Sequence, residues 1–108
     1  MNKLTRPKLI PEGQEPWQWA EPVWHLYVVR TPRRAELIRA LDKAGIGSLI
    51  HYPIPPHLQD AYADLKQGNG SYPLAEKLAE SVVSLPMGPH LTPEAVDEVA
   101  AAVRAALS

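Results

Sequence analysis

The sequence predicts an α+β fold, with a small mixed or antiparallel sheet and helices packed on one side of it. Segments 24–30 and 46–52 are rich in β-branched and aromatic residues, which favour strands. Three other segments begin with proline or Thr-Pro and then carry apolar residues at helical spacing. Helices that are apolar on one face must bury that face, and a small sheet is the simplest layer to receive them.

The first half of the domain reads as strand, helix, strand. WHLYVVR, residues 24–30, predicts the first strand, and Thr31-Pro32 then provides an N-cap and a first-turn proline. Residues 46–52 predict a second strand, which the prolines at 53, 55 and 56 must end because proline cannot donate to a ladder. The helix between them ends before Gly45, and its apolar face consists of Leu37, Ile38, Leu41 and Ala44.

The second half adds a loop, two longer helices and a short strand. Residues 57–65 predict a short helix, residues 66–71 a glycine-rich loop, and residues 83–86 a brief strand. Pro73 opens a helix, and Thr92-Pro93 opens the last one. The apolar positions expected to face inward are Leu74, Leu78 and Val82 in the first of these helices, and Val96, Val99, Ala100, Val103 and Leu107 in the second.

The length and the proline distribution predict one domain with an extended lead-in. A chain of 108 residues leaves no room for a second core of ordinary size. Residues 1–22 carry four prolines and no sustained periodicity, so they are predicted to be a lead-in or linker, and residues 23–108 the domain. Trp17, Trp19 and Trp24 either bury a large apolar area or mark a surface left by a missing partner.

The composition excludes several classes of function. The net charge of −1 gives no electrostatic footprint for nucleic acid or for a membrane surface. No apolar run reaches the roughly 20 residues that span a bilayer, and no secretory signal is visible, so we expect a cytoplasmic protein. The absence of cysteine excludes disulfides, thiolate zinc sites and cysteine nucleophiles.

Potential functional groups are densest in HYPIPPH, residues 51–57, which follows the second predicted strand. Loops at strand ends often bind ligands, because a rigid scaffold holds them while their side chains stay exposed. His51 and Tyr52 would point to opposite faces if the strand continued, and both can form hydrogen bonds. The alternative interpretation is that His51 is a satisfied core histidine and Tyr52 a packing residue.

Two other clusters favour no specific chemistry. The spacing of His25, His51, His57 and His90 fits no zinc motif, so we expect no metal site. Arg30, Arg33 and Arg34 either grip a phosphate or form a solvated basic patch. No phosphate-binding glycine loop or Ser-His-Asp arrangement is present, so the residues alone predict a binding module.

Three blocks of the sequence resemble the C-terminal part of the DegT/DnrJ/EryC1/StrS aminotransferases. They are residues 25–30, 36–62 and 72–107, and GIGSLIHYPIPPHLQ, residues 45–59, is the most specific stretch. The resemblance implies the small domain of a fold-type I aminotransferase that uses pyridoxal phosphate to aminate a nucleotide-linked keto sugar. The stretch 45–59 is most similar to members acting on 3-keto-6-deoxyhexoses.

The resemblance implies that the coenzyme-binding lysine lies in a large domain that this chain lacks. We therefore expect no catalytic residue, no cofactor-binding residue and no cofactor bound to this chain alone. By the same resemblance His51, Tyr52 and His57 are carried over as substrate-binding residues that orient the sugar. Two alternatives from other classes stay open: a free-standing interaction module that forms a homodimer, and a sugar-nucleotide-binding domain without catalysis.

Overall fold

The computed structural model describes residues 4–7, 13 and 23–108, so most of the predicted lead-in, with Trp17 and Trp19, lies outside the described residues. The longer elements are β1 (Tyr27–Arg30), α1 (Arg34–Lys43), α2 (Pro73–Ser81), β2 (Val82–Leu85) and α3 (Pro93–Leu107). Two short 3-10 helices, Pro56–Leu58 and Asp60–Leu65, lie between α1 and α2. Among the described residues no helix has the length and apolarity needed to cross a membrane.

The sheet has two antiparallel strands, β1 and β2. Val29 lies opposite Val83, and Val28 lies opposite Ser84. Single bridges extend the sheet on both sides, from Thr5 to Arg30 and from Leu49 to Ser84. The predicted α+β class, with a small antiparallel sheet and helices, is confirmed.

The core lies between one face of this sheet and helices α1 and α3. Val29 and Val83 point into it and are fully buried, as are Leu37 and Leu41 of α1. Val103 of α3 is 9% exposed and packs against the same cluster. The apolar faces of α1 and α3 therefore meet over the sheet, since burial of such side chains is the main force that holds helices on it. Two positions that were predicted to face inward do not: Ala44 is exposed, and Val96 is 52% exposed.

Helix α1 ends before Gly45, as the sequence predicts. Gly45 has φ of +74°, a left-handed conformation that glycine adopts without a Cβ penalty. Its N–H donates to the Asp42 carbonyl at 3.0 Å, and the Ile46 N–H donates to the Leu41 carbonyl at 2.9 Å. This pair of bonds is the Schellman motif, which satisfies two carbonyls that the helix leaves free.

The start of α1 differs from the prediction. The cap position is Arg33 rather than Thr31, and no side chain caps it. The Thr31 hydroxyl instead accepts a hydrogen bond from the Arg33 N–H at 3.2 Å, in the turn that leads into the helix. By contrast, Thr92 caps α3 as predicted, because its hydroxyl accepts from the Ala95 N–H at 3.2 Å.

Both predicted strands in the first half were too long. The first begins at Tyr27, because Trp24 has a positive φ of 53° and lies outside the ladder. Residues 46–52 form no strand, since only Leu49 pairs with β2. The prolines that follow cannot donate to a ladder, so the segment touches the sheet once and then leaves it.

Two smaller predictions were also inaccurate. The predicted helix over 57–65 is a pair of 3-10 turns interrupted at Gln59. Leu74 is 67% exposed, and α2 instead buries Ala79, while Val82 belongs to β2. The inward face of α2 is therefore rotated away from Leu74.

Candidate functional site

His51 is fixed to the sheet by a side-chain hydrogen bond. Its Nδ1 lies 2.8 Å from the hydroxyl oxygen of Ser84, a β2 residue that is 5% exposed. The main chain of Ser84 also exchanges two hydrogen bonds with Leu49, at 2.7 and 3.2 Å. The loop that carries His51 is therefore held to β2 by both its backbone and a side chain.

Tyr52 lies beside His51 and is open to solvent. The two rings meet edge to face with their centroids 5.2 Å apart, and Tyr52 is 68% exposed. Edge-to-face aromatic pairs are favourable and limit ring rotation. The pair thus presents a half-buried imidazole and an exposed phenol on one small surface.

His57 lies in a second cluster, which joins the proline-rich loop to α2. Its side chain is 5% exposed, and its Nε2 lies 3.4 Å from Oε2 of Glu76, an ion-pair contact when the imidazole is protonated. Its ring meets that of Tyr72 edge to face at 4.9 Å. Among the described residues His57 contacts this cluster, whereas His51 and Tyr52 contact each other.

Glu76 organises the loop that precedes α2. One of its oxygens accepts from the Gly70 N–H at 2.8 Å, and the other accepts from the Tyr72 N–H at 3.2 Å. The Gly70 hydrogen bond, then the Tyr72 bond and the nearby His57, hold the pKa of the Glu76 carboxyl below its ordinary value of 4.5, against the opposing effect of desolvation. Glu76 therefore closes the loop as a charged carboxylate.

An open cavity of about 340 Å³ lies next to this cluster. Its walls come from both 3-10 helices, the loop after them and the start of α2. Gln67 donates to the Tyr72 hydroxyl at 3.0 Å at its rim. The lining side chains are largely apolar and include His57, Tyr62, Leu65 and Tyr72.

Two of the three clustered arginines, Arg33 and Arg34, bind protein oxygens. Arg33 pairs with Glu36 at 2.6 Å and donates to the Ala106 carbonyl of α3 at 3.3 Å. Arg34 donates to the carbonyls of Ala79 and Val82, where α2 passes into β2. Because these guanidinium groups already bind protein oxygens, neither a phosphate grip nor a freely solvated patch describes Arg33 and Arg34.

The sequence did not reveal Ser84 and Glu76 as parts of these clusters. Ser84 is the one polar residue in the strand VVSL, and that interruption of an apolar run was the available signal. Glu76 follows Tyr72 by four residues and bonds back to its N–H, much as in a capping box. Ser84 also contacts His51, and Glu76 contacts His57; these histidines are distant in the sequence, and periodicity cannot locate such partners.

The described residues do not fit a pyridoxal phosphate site. Such a site needs an amine held next to the coenzyme aldehyde in a shielded pocket. The lysines in the described part of the chain, Lys43, Lys66 and Lys77, are all exposed. Within those same residues, no three of His, Asp or Glu are grouped to hold a metal ion.

The fold and these clusters define a small α+β domain whose polar groups collect on the loop after α1. The sequence profile of the DegT/DnrJ/EryC1/StrS aminotransferase family matches residues 5–104, and the chain belongs to that family.

Three similar proteins illustrate the relationship. The chain is 54% identical over 87 residues to the erythromycin biosynthesis sensory transduction protein EryC1 of Saccharopolyspora erythraea, covering 81% of this chain and 24% of that protein. It is 56% identical over 71 residues to dTDP-3-amino-3,4,6-trideoxy-alpha-D-glucose transaminase of Streptomyces venezuelae, and this match covers 66% of this chain and 19% of that protein. The crystal structure of Streptomyces venezuelae DesV in complex with a ketimine intermediate superposes on this chain with a TM-score of 0.79 at 43% identity. The superposition covers 97% of this chain and 27% of that one.

The chain thus spans about a quarter or less of these relatives. Structures from Streptococcus pneumoniae described as a sugar aminotransferase include PMP and PLP forms.

Proposed function

We propose that this chain acts as the C-terminal small domain of a pyridoxal-phosphate-dependent aminotransferase for a nucleotide-linked keto sugar. In this proposal residues 23–108 form the domain, residues 1–22 are the lead-in, and the sugar is a keto-6-deoxyhexose. The name of the Streptomyces venezuelae relative, a dTDP-amino-sugar transaminase, supports the substrate class. The match to about a quarter of each relative supports the role of a domain within a larger enzyme.

The observation that carries the proposal is the arrangement of His51 and Tyr52. Ser84 anchors the imidazole at 2.8 Å, while the neighbouring phenol is 68% exposed. Anchored polar groups that remain accessible can orient a hydroxylated ligand at little entropic cost. In the proposal both residues contact the sugar.

His57 has a different role in the proposal. Its ring forms part of the wall of the 340 Å³ cavity, and Glu76 lies behind its Nε2. Its contribution to substrate binding is therefore to shape the edge of the site. Its imidazole is mostly buried, so it offers the ligand less contact than Tyr52 does.

The coenzyme chemistry belongs to residues outside this domain in our proposal. Pyridoxal phosphate supplies an electron sink for the transfer of the amino group when it is bound. The exposed lysines of the described part of the chain offer no shielded amine for its aldehyde. We therefore expect the isolated chain to be catalytically incompetent.

An interaction module is the second candidate. Leu49, Tyr52 and Ile54 are 66%, 68% and 52% exposed and close together in the sequence, which favours a surface that another protein or a second copy covers. Light scattering over a wide range of protein concentration tests it. A strictly monomeric particle at the highest concentration would argue against a homodimer.

A coenzyme-retention experiment tests the domain proposal. The purified chain is mixed with pyridoxal phosphate, passed over a desalting column and examined by visible absorbance, with the Streptomyces venezuelae transaminase as a positive control. We expect the coenzyme to separate from this chain and to stay with the control. A yellow chain that retains the coenzyme and transaminates a dTDP-amino sugar would overturn the proposal.

A further inference from the structure

Ser84 and His51 meet on the side of the sheet that faces away from the core. Side chains alternate along a strand, so if Val83 points into the core its neighbour Ser84 points the opposite way. Val83 is fully buried among core residues, and Ser84 is nevertheless only 5% exposed. A hydroxyl that is buried on this outer face needs a polar partner, and His51 provides it.

The need to satisfy the buried hydroxyl sets the direction of this hydrogen bond. Among the described residues, the one hydrogen-bond partner of the Ser84 hydroxyl is Nδ1 of His51, at 2.8 Å. If Nδ1 carried a proton and donated it, the hydroxyl hydrogen would be left buried without an acceptor, which is costly. If the hydroxyl donates its hydrogen to an unprotonated Nδ1, both the hydroxyl and the nitrogen have a hydrogen-bond partner.

From this geometry we propose that Ser84 is a positioning residue, which fixes the neutral His51 with its hydrogen on Nε2. His51 then presents an N–H donor, and the ligand atom that it recognises is an oxygen acceptor. This inference rests on the proposed function, in which that oxygen is a carbonyl or hydroxyl oxygen of the nucleotide-linked sugar. Ser84 itself does not touch the ligand.

The surroundings of Nε2 agree with this role. Within the described part of the chain Nε2 of His51 has no hydrogen-bond partner, and His51 is half-buried rather than buried. The exposed phenol of Tyr52 lies beside the same ring. The two side chains together offer an N–H donor and a hydroxyl that can donate or accept.

Nitrogen NMR of the isolated chain, with ¹⁵N-labelled histidine and in alkaline buffer where imidazole is neutral, tests the inference directly. A His51→Gln variant assigns the signals among the four histidines of the sequence. We expect the His51 spectrum to show a protonated Nε2 and an unprotonated Nδ1. The chemical shift of Nδ1 should show that it accepts a hydrogen bond. A protonated Nδ1 in the unaltered chain would by itself overturn the inference.

Three serine variants separate positioning from a general effect on the fold. Ser84→Ala should remove the hydrogen-bond shift of the Nδ1 resonance and let the tautomer protonated on Nδ1 appear beside the other, whereas Ser84→Thr keeps a hydroxyl and should restore the original signal. Ser48→Ala is the matched control, since its hydroxyl is buried but has no hydrogen-bond partner among the described residues. An unchanged Nδ1 resonance in Ser84→Ala would contradict the proposal.

These outcomes are independent of the proposed function. A chain that retains pyridoxal phosphate and transaminates would end the domain proposal and leave the His51 tautomer as measured. A chain with the opposite tautomer would end this inference, even if the domain proposal survived.

Discussion

Oε2 of Glu76 lies 3.4 Å from Nε2 of His57. The same carboxylate accepts hydrogen bonds from the Gly70 and Tyr72 backbones, so it connects the proline-rich loop to the loop before α2. Both loops border the 340 Å³ cavity. The shape of that cavity therefore depends on one ionised side chain.

Stability in acid should depend on Glu76. Because the folded state holds the pKa of this carboxyl below 4.5, its stabilising effect is complete above that pH and is lost as the pH falls through the lowered folded pKa. Glu76→Gln should unfold at a lower urea concentration than the parent at neutral pH, and the difference should shrink as acid protonates Glu76 in the parent.

The matched control for that series is Glu80→Gln, which changes an exposed carboxyl on the same helix. Urea titrations of all three proteins, repeated from neutral pH to below 4.5, give the comparison. If Glu80→Gln and Glu76→Gln showed the same dependence on pH, the role assigned to Glu76 would be wrong.

Arg34 should matter for stability more than its position on a helix surface indicates. It donates to two backbone carbonyls where α2 meets β2, and hydrogen bonds to charged groups contribute about 1.5–3 kcal/mol. We expect Arg34→Met to lower the free energy of unfolding by an amount in this range. Arg39→Met, an exposed arginine of the same helix, should stay within about 0.5 kcal/mol of the parent, and equal losses would refute this interpretation.

The core prediction contrasts two leucines of different exposure. Leu41 is fully buried in the cluster beneath α1, whereas Leu74 is 67% exposed on α2. Leu41→Ala should cost about 2–5 kcal/mol, because it removes buried methyl groups and leaves a cavity. Leu74→Ala should cost less than about 0.5 kcal/mol in the same denaturation experiment, and a larger loss would show that Leu74 packs inward.

The C-terminus of α1 allows a test of backbone conformation alone. An added Cβ would meet no atom within 4 Å at either Gly45 or Gly47, but only Gly45 of the two has a positive φ. Gly45→Ala should therefore destabilise the domain by about 1–2 kcal/mol, and Gly47→Ala should not. Thermal unfolding of the two variants decides, and equal midpoints would argue against the left-handed conformation at Gly45.

Much of the fold could be predicted because local signals agreed with tertiary packing. The Thr92 cap and the apolar spacing that runs to Leu107 located α3, and Gly45 marked the end of α1. Residues 46–52 have strand propensity but find only one pairing partner, at Ser84. Strand propensity describes the backbone conformation that a segment favours, whereas backbone pairing also needs a neighbouring strand in register.

The sequence predicted individual residues of the site but not the contacts that hold them. His51, Tyr52 and His57 were singled out from one short proline-rich stretch, but their partners Ser84 and Glu76 are distant in the sequence. The separation of His51 and His57 into two clusters could not be predicted either, because two short 3-10 turns and a loop bring α2 against His57.

The most direct test replaces the matching C-terminal part of the Streptomyces venezuelae transaminase with residues 23–108 of this chain and measures transamination of a dTDP-amino sugar. We expect an active hybrid enzyme, in which His51→Ala lowers kcat/KM at least about tenfold, the equivalent of ~1.4 kcal/mol. The Arg39→Met control, at an exposed arginine of α1, should match the unaltered hybrid. A folded hybrid that is inert, or one that His51→Ala leaves unchanged, would contradict the account.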